Sequence, residues 1–113
     1  MHEYSIAYDI YATARRTAME HHADRIRRIC VEVGAMAMVN PEQVMFLFTV
    51  ISEEDPLFAG ATLECTEVAP VTRCGCGYEG DDCYVCPKCG ALPELMKGRE
   101  ILVSNIVIEV EDS

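Results

Sequence analysis

Five of the seven cysteines fall in one short stretch, at Cys74, Cys76, Cys83, Cys86 and Cys89. A segment so rich in thiols, glycine and acids builds no apolar core of its own. It needs either disulfides or a metal ion to hold it together. The run Cys86-Pro87-Lys88-Cys89-Gly90 decides between them. Two thiolates spaced two residues apart make a tight turn whose amides point at the sulfurs. The glycine after the second permits a positive φ. This is a zinc knuckle. Cys76-Gly77-Tyr78 reads as the tail of a second knuckle, although Arg73 stands where its first cysteine would fall and Cys74 comes one place later.

All three histidines, His2, His21 and His22, lie outside this stretch, so a tetrahedral site here is all-cysteine. The set favoured is Cys74, Cys76, Cys86 and Cys89. Cys83, which forms its own C-x-x-C with Cys86, is the alternative to Cys74. Four thiolates close the coordination sphere, which marks a folding staple rather than a catalytic metal. The same donors suit a rubredoxin-like iron. Arg73, Lys88 and Lys97 with Tyr78 and Tyr84 make a poor basic patch for a nucleic-acid ribbon.

The rest of the chain patterns as α+β. Ile6, Ile10, Ala14 and Ala18, widened by Ala7 and Tyr11, predict a helix from Ser5 to His22 with Ser5 as its N-cap. Ile29, Val31 and Val33 alternate with Arg28, Cys30 and Glu32, a half-buried strand over Ile26–Gly34. Asn40-Pro41-Glu42-Gln43 starts a second helix, with Asn40 as cap, Pro41 at the first turn and Gln43 completing a capping box. Strands follow at Ala61–Val68 and Ile101–Glu111, the latter with a slip at Ser104-Asn105. The expected fold is two helices on a small three-stranded, mostly antiparallel sheet, carrying an inserted zinc-ribbon-like domain. Residues 1–69 and 99–113 form the body and 70–98 the insert.

Charge separates the two parts. Residues 1–69 hold five basic and eleven acidic groups (−6), residues 70–98 three and four (−1), and residues 99–113 one and four (−3), giving −10. That balance opposes binding to nucleic acid or an anionic membrane surface. No apolar run approaches the ~20 residues that span a bilayer. The start has no signal-peptide pattern, so the expected location is cytoplasmic.

Met1-His2-Glu3 is the second informative feature. His2 is large, so Met1 is expected to stay. The free amine, the His2 amide nitrogen and the His2 imidazole can close fused chelate rings on one ion, with Glu3 as a further donor. Such a nitrogen-rich planar set suits Ni²⁺ or Cu²⁺.

Together these features resemble the HypA/HybF family of hydrogenase nickel-incorporation proteins. The resemblance rests on Met1-His2-Glu3-Tyr4-Ser5, Val33-Gly34-Ala35, Asn40-Pro41-Glu42, Leu57-Phe58-Ala59-Gly60-Ala61, Cys86-Pro87-Lys88-Cys89-Gly90 and Asn105-Ile106-Val107-Ile108-Glu109. It implies a nickel metallochaperone with a nickel-binding α/β domain and a zinc domain. Such a protein delivers Ni²⁺ to the large subunit of [NiFe]-hydrogenase with an accessory GTPase. His2 carries over as the imidazole ligand of nickel, Met1 and Glu3 as neighbouring donors, and Cys76, Cys86 and Cys89 as zinc ligands. A zinc-ribbon interaction module without a nickel role is the alternative function.

Other features read as structural. His21-His22 closes the first helix, and eighteen residues at about 1.5 Å each put it roughly 27 Å from the chain start. Arg15, Arg16, Arg25, Arg27 and Arg28 read as a solvated face paired with nearby acids, and Glu53-Glu54-Asp55 as a solvated loop. Cys30 and Cys65 read as small core residues, and Met19, Met36, Met38, Met45 and Met96 as packing residues. No nucleophile–histidine constellation or phosphate loop is present, so the chain is not expected to be an enzyme. It is expected to be a monomer or a weak homo-oligomer.

Overall fold

The computed structural model describes residues 3–110. Its elements run α1 (Glu3–Glu20), β1 (Arg25–Gly34), α2 (Pro41–Ser52), a 3₁₀ turn (Pro56–Phe58), β2 (Thr62–Val68), β3 (Val71–Arg73), β4 (Glu79–Gly80), β5 (Glu94–Lys97) and β6 (Ile101–Glu109). One three-stranded sheet has the order β2-β1-β6 and a second the order β4-β3-β5. The chain divides into two units. The first comprises Met1–Val31, Val39–Thr66 and Leu102–Ser113, and the second Glu32–Met38 and Glu67–Ile101.

In the first unit, α1 buries Ala7, Ile10, Ala14 and Ala18. Three of these are alanines, which let α1 approach its neighbour α2 closely. Val44 and Phe48 of α2, Ile26, Ile29 and Val31 of β1, Phe58 and Leu63 complete this core. Tyr11 stacks on Phe58 at 4.8 Å, and Phe48 meets the same ring edge-on at 5.8 Å. Such pairs add stabilisation beyond the area they bury.

Asp55 ties this cluster down. It accepts the Tyr11 hydroxyl at 2.6 Å, the Arg15 guanidinium at 3.3 Å and the Leu57 amide at 3.0 Å. Burial opposes its charge, but those donors outweigh it and hold the carboxyl below its usual range. Asp55 is thus a cap for the 3₁₀ turn rather than part of a solvated loop. Other arginine pairs among the described residues of this unit lie on the surface: Arg25 and Arg27 with Glu109, and Arg28 with Glu64. They contribute little stability there.

Helix α1 starts at Glu3, placing Ser5 inside the helix rather than at its cap. Its end is a Schellman motif. Ala23 N–H donates to Ala18 O at 2.9 Å, and His22 N–H to Met19 O at 3.1 Å. His22 therefore occupies the left-handed position, φ 54°, where glycine is usual. Helix α2 begins as expected: the Asn40 side chain accepts the Glu42 and Gln43 amides at 3.0 and 3.3 Å. The expected return bond from Gln43 is replaced. Asn40 N–H donates instead to the Glu3 carboxylate at 3.4 Å.

Both long strands break their alternation. Ile26 and Ile29 are both buried, leaving Arg27 and Arg28 consecutively exposed. In β6 the phase shifts at Ser104-Asn105, as the sequence indicated. Met19, Met38, Met45 and Met96 are exposed, contrary to a packing role; for Met19 and Met45 the reason is that the core-facing stripes of α1 and α2 are filled by alanine, isoleucine, valine and phenylalanine.

The second sheet was not legible as strands. In it Thr72 and Arg73 of β3 pair antiparallel with Gly80 and Glu79 of β4, and with Leu95 and Glu94 of β5. Thr72 is buried and donates its hydroxyl towards Gly80 O and Asp82 O, at 3.1 and 2.9 Å. The unit closes at three consecutive amides: Gly34 to Glu100 O, Ala35 to Val68 O and Met36 to Gly98 O, at 2.8, 2.9 and 2.7 Å. A Cβ on Gly34 would fall 2.1 Å from the Gly98 carbonyl oxygen.

Two substitutions test this reading of the backbone in chemical denaturation. His22→Gly should stabilise the chain by about 0.5–1 kcal/mol, because glycine relieves the left-handed position. Gly34→Ala should destabilise it by about 1–3 kcal/mol, because backbone rather than a side chain must move.

Candidate metal centre

The second unit positions four thiols through its turns. Cys74 follows β3, and its N–H donates to Tyr78 O at 2.8 Å, while Gly77 N–H donates to Cys74 O at 2.9 Å. Cys86 repeats the design: its N–H donates to Ala91 O at 2.8 Å, and Gly90 N–H donates to Cys86 O at 2.8 Å. Gly77 and Gly90 both take positive φ, 98° and 80°. The two frames match, with one residue fewer in the first. The displaced register of Cys74 is therefore a shortened knuckle, not a missing one.

These turns bring the sulfurs of Cys74, Cys76, Cys86 and Cys89 within 4.8 Å of one another. Cys74 and Cys89 approach to 3.3 Å, and Cys76 and Cys86 to 3.7 Å. A tetrahedral ion with bonds of about 2.3 Å spaces its sulfurs about 3.8 Å apart, so the cluster has the right size. Cys74 and Cys86 are buried, while Cys76 and Cys89 are exposed. Cys83 is not in the group; its thiol donates to Asp81 O at 3.7 Å.

The electrostatics also call for a cation. Burial disfavours a Cys86 thiolate, but the Cys89 and Lys88 amides and the Cys74 and Cys76 thiols outweigh it and lower Cys86 to about 6. The Ala91 amide favours a Cys89 thiolate, yet the Cys74, Cys76 and Cys86 thiols push Cys89 up to about 12. Sulfurs this close ionise one after another; a divalent cation lets all four carry charge together.

The other sequence candidates fall elsewhere. Met1 and His2 lie outside the described residues. Glu3 opens α1, and its carboxyl is held below the usual range by its own backbone and by the Asn40 amide. His21 lines a cleft with Thr13, Thr17, Ser104 and Asn105, which among the described residues offers no cysteine, carboxylate or second histidine. Cys30 donates its thiol to the Glu64 carboxylate at 3.7 Å, and burial pushes the Cys65 thiol up. Both are half-buried.

A family model described as hydrogenase/urease nickel incorporation, metallochaperone, matches residues 1–108. The chain belongs to the HypA family. Hydrogenase maturation factor HypA of Methanocella arvoryzae is 40% identical, over 97% of this chain and 100% of that protein. The Methanosarcina barkeri factor is 32% identical, over 99% and 98%. Among solved structures, the Ni metallochaperone HypA from Helicobacter pylori aligns with a TM-score of 0.76 at 22% identity, over 98% of this chain and 100% of that one. It supports the fold: two helices and small sheets with a four-cysteine cluster. Among the described residues of this HypA-family chain, no helix is long and apolar enough to cross a membrane.

Sequence reasoning missed Thr72 as the support behind the first knuckle. A three-residue strand carries no periodicity, and a lone threonine in its middle gives no signal. The arrangement predicts different fates for two cysteine variants. Cys83→Ala should keep bound metal at wild-type stoichiometry, and Cys74→Ala should shed it, as read by elemental analysis after dialysis.

Proposed function

We propose that this chain is a nickel metallochaperone that binds Ni²⁺ at its N-terminus and delivers it to the large subunit of a [NiFe]-hydrogenase. The observation that carries the reading is the family match, which runs from residue 1 and so includes Met1-His2-Glu3. In this reading the Met1 amine and the His2 amide and imidazole nitrogens bind the ion, and Glu3 donates to it or supports it. The nickel is cargo. Few, terminal ligands suit a site that must give its ion away, and an accessory GTPase is the expected partner in that transfer. The chain itself catalyses no reaction and works in the cytoplasm.

The four cysteines are, in the same reading, a resident zinc site. All-thiolate donors at this spacing fit zinc, and a closed sphere leaves no position for a substrate. Zinc supplies a fixed crosslink between the two knuckles. Residues 1–69 and 99–113 then serve as the nickel-binding domain, and residues 70–98 as the zinc-binding insert.

The test is a nickel titration by calorimetry on the zinc-loaded chain. His2→Ala should reduce affinity by at least about tenfold, the equivalent of roughly 1.4 kcal/mol. One extra residue ahead of Met1 should do the same, because it converts the amine to an amide. Affinity of the unmodified chain should fall as pH drops below about 7.7–8.0, where the amine takes up its proton. Undiminished binding by His2→Ala rules out His2 as a ligand.

A further inference from the structure

We propose that the four-cysteine site opens from one side, through the Cys74–Cys76 arm and first at Cys76, while the Cys86–Cys89 arm holds. The inference rests on the proposed zinc site and concerns how this chain's own two knuckles differ.

Exposure does not separate the arms. Each has one buried cysteine followed by one exposed cysteine, Cys74 then Cys76 and Cys86 then Cys89. The difference lies in the backbone. In the longer knuckle the Gly90 amide closes the turn on the Cys86 carbonyl. That leaves the amides two and three residues beyond Cys86, those of Lys88 and Cys89, to face its sulfur, and both do. In the shorter knuckle the residue three beyond the first cysteine is Gly77, whose N–H already goes to the Cys74 carbonyl. The shorter turn therefore closes one residue sooner, so Cys76 is the one position left two or more residues beyond the first cysteine before the closing glycine. Amide donors to a thiolate are charge-assisted and strengthen its hold.

Chain stiffness points the same way. The longer loop holds Pro87, whose φ is fixed. The shorter loop holds only Gly75, the residue with most freedom to lose. Nothing demands glycine there: its φ is not positive, and a Cβ would meet nothing within 4 Å. The Cys74–Cys76 arm thus combines a turn one residue shorter with a looser loop, and Cys76 is its exposed member.

The experiment uses the full chain loaded with zinc and treated with limiting N-ethylmaleimide. Adducts are located by peptide mass spectrometry while zinc release is followed with a colorimetric chelator. Among the four clustered cysteines, Cys76 should be modified first, and Cys89 only after zinc has left. Gly75→Ala, which the open space accommodates, should slow zinc transfer to the chelator by about two- to fivefold through reduced loop freedom. Modification of Cys89 as early as Cys76 overturns the proposal, as does an unchanged transfer rate in Gly75→Ala. A chain that takes up no zinc overturns the zinc reading and this proposal together. A chain that holds zinc but opens at Cys89 overturns this proposal alone.

Discussion

Three consecutive amides set the terms for the second unit. Gly34, Ala35 and Met36 bond in turn to carbonyls of Glu100, Val68 and Gly98. The end of β1 and the two residues after it are thereby stitched to segments on both sides of the cysteine-bearing stretch. Entry and exit of that stretch are brought together before a single thiol is placed. The closure demands bare backbone: Gly34 faces the Gly98 carbonyl, and Gly98 itself, at φ 113°, sits against Pro70. Side chains at either glycine would wedge the seam. A short unit with two- to four-residue strands β3, β4 and β5 gains little from apolar burial, so a covalently cheap closure of its ends matters more than it would in a larger domain.

Within that closure the thiols oppose one another. Cys86 is drawn towards the thiolate chiefly by the Cys89 and Lys88 amides, whereas the Cys74, Cys76 and Cys86 thiols hold Cys89 away from it. The turns are nevertheless built to keep the sulfurs together, through two glycines at positive φ and a buried Thr72 that binds two carbonyls. Backbone geometry thus maintains a charge arrangement that side-chain electrostatics alone would disperse. This is the converse of the core of the first unit, where non-directional burial does most of the work and polar groups such as Asp55 only fix the details.

Long periodic segments were legible in the sequence, and short ones were not. The α1 stripe, the alternation of Val31 and Val33 and the Asn40-Pro41 start each repeat a signal over several residues or use a side chain with one strong local preference. Ser5 is a good cap in isolation, but α1 begins two residues earlier, at Glu3, which gains its partner from Asn40, far along the chain. The consecutive exposure of Arg27 and Arg28 lies before that alternation begins, where burial of both Ile26 and Ile29 turns two neighbouring residues outward. The short knuckle was seen but looked like a register fault. Only the backbone frame around Cys74 and Gly77 shows it as a complete turn with one residue removed. The exposed methionines defeat composition altogether, since an apolar residue left outside carries no mark in the sequence.

The bond between Asn40 and Glu3 has a dynamic consequence. The first turn of a helix near a chain end normally frays at small cost, because it loses only its own few interactions. Here unwinding at Glu3 also strips a partner from the residue that caps α2. The two helix starts are therefore linked in their local melting: each resists opening partly because the other is formed. A tether 37 residues apart in sequence gives the beginning of α1 a share of the persistence of an interior helix.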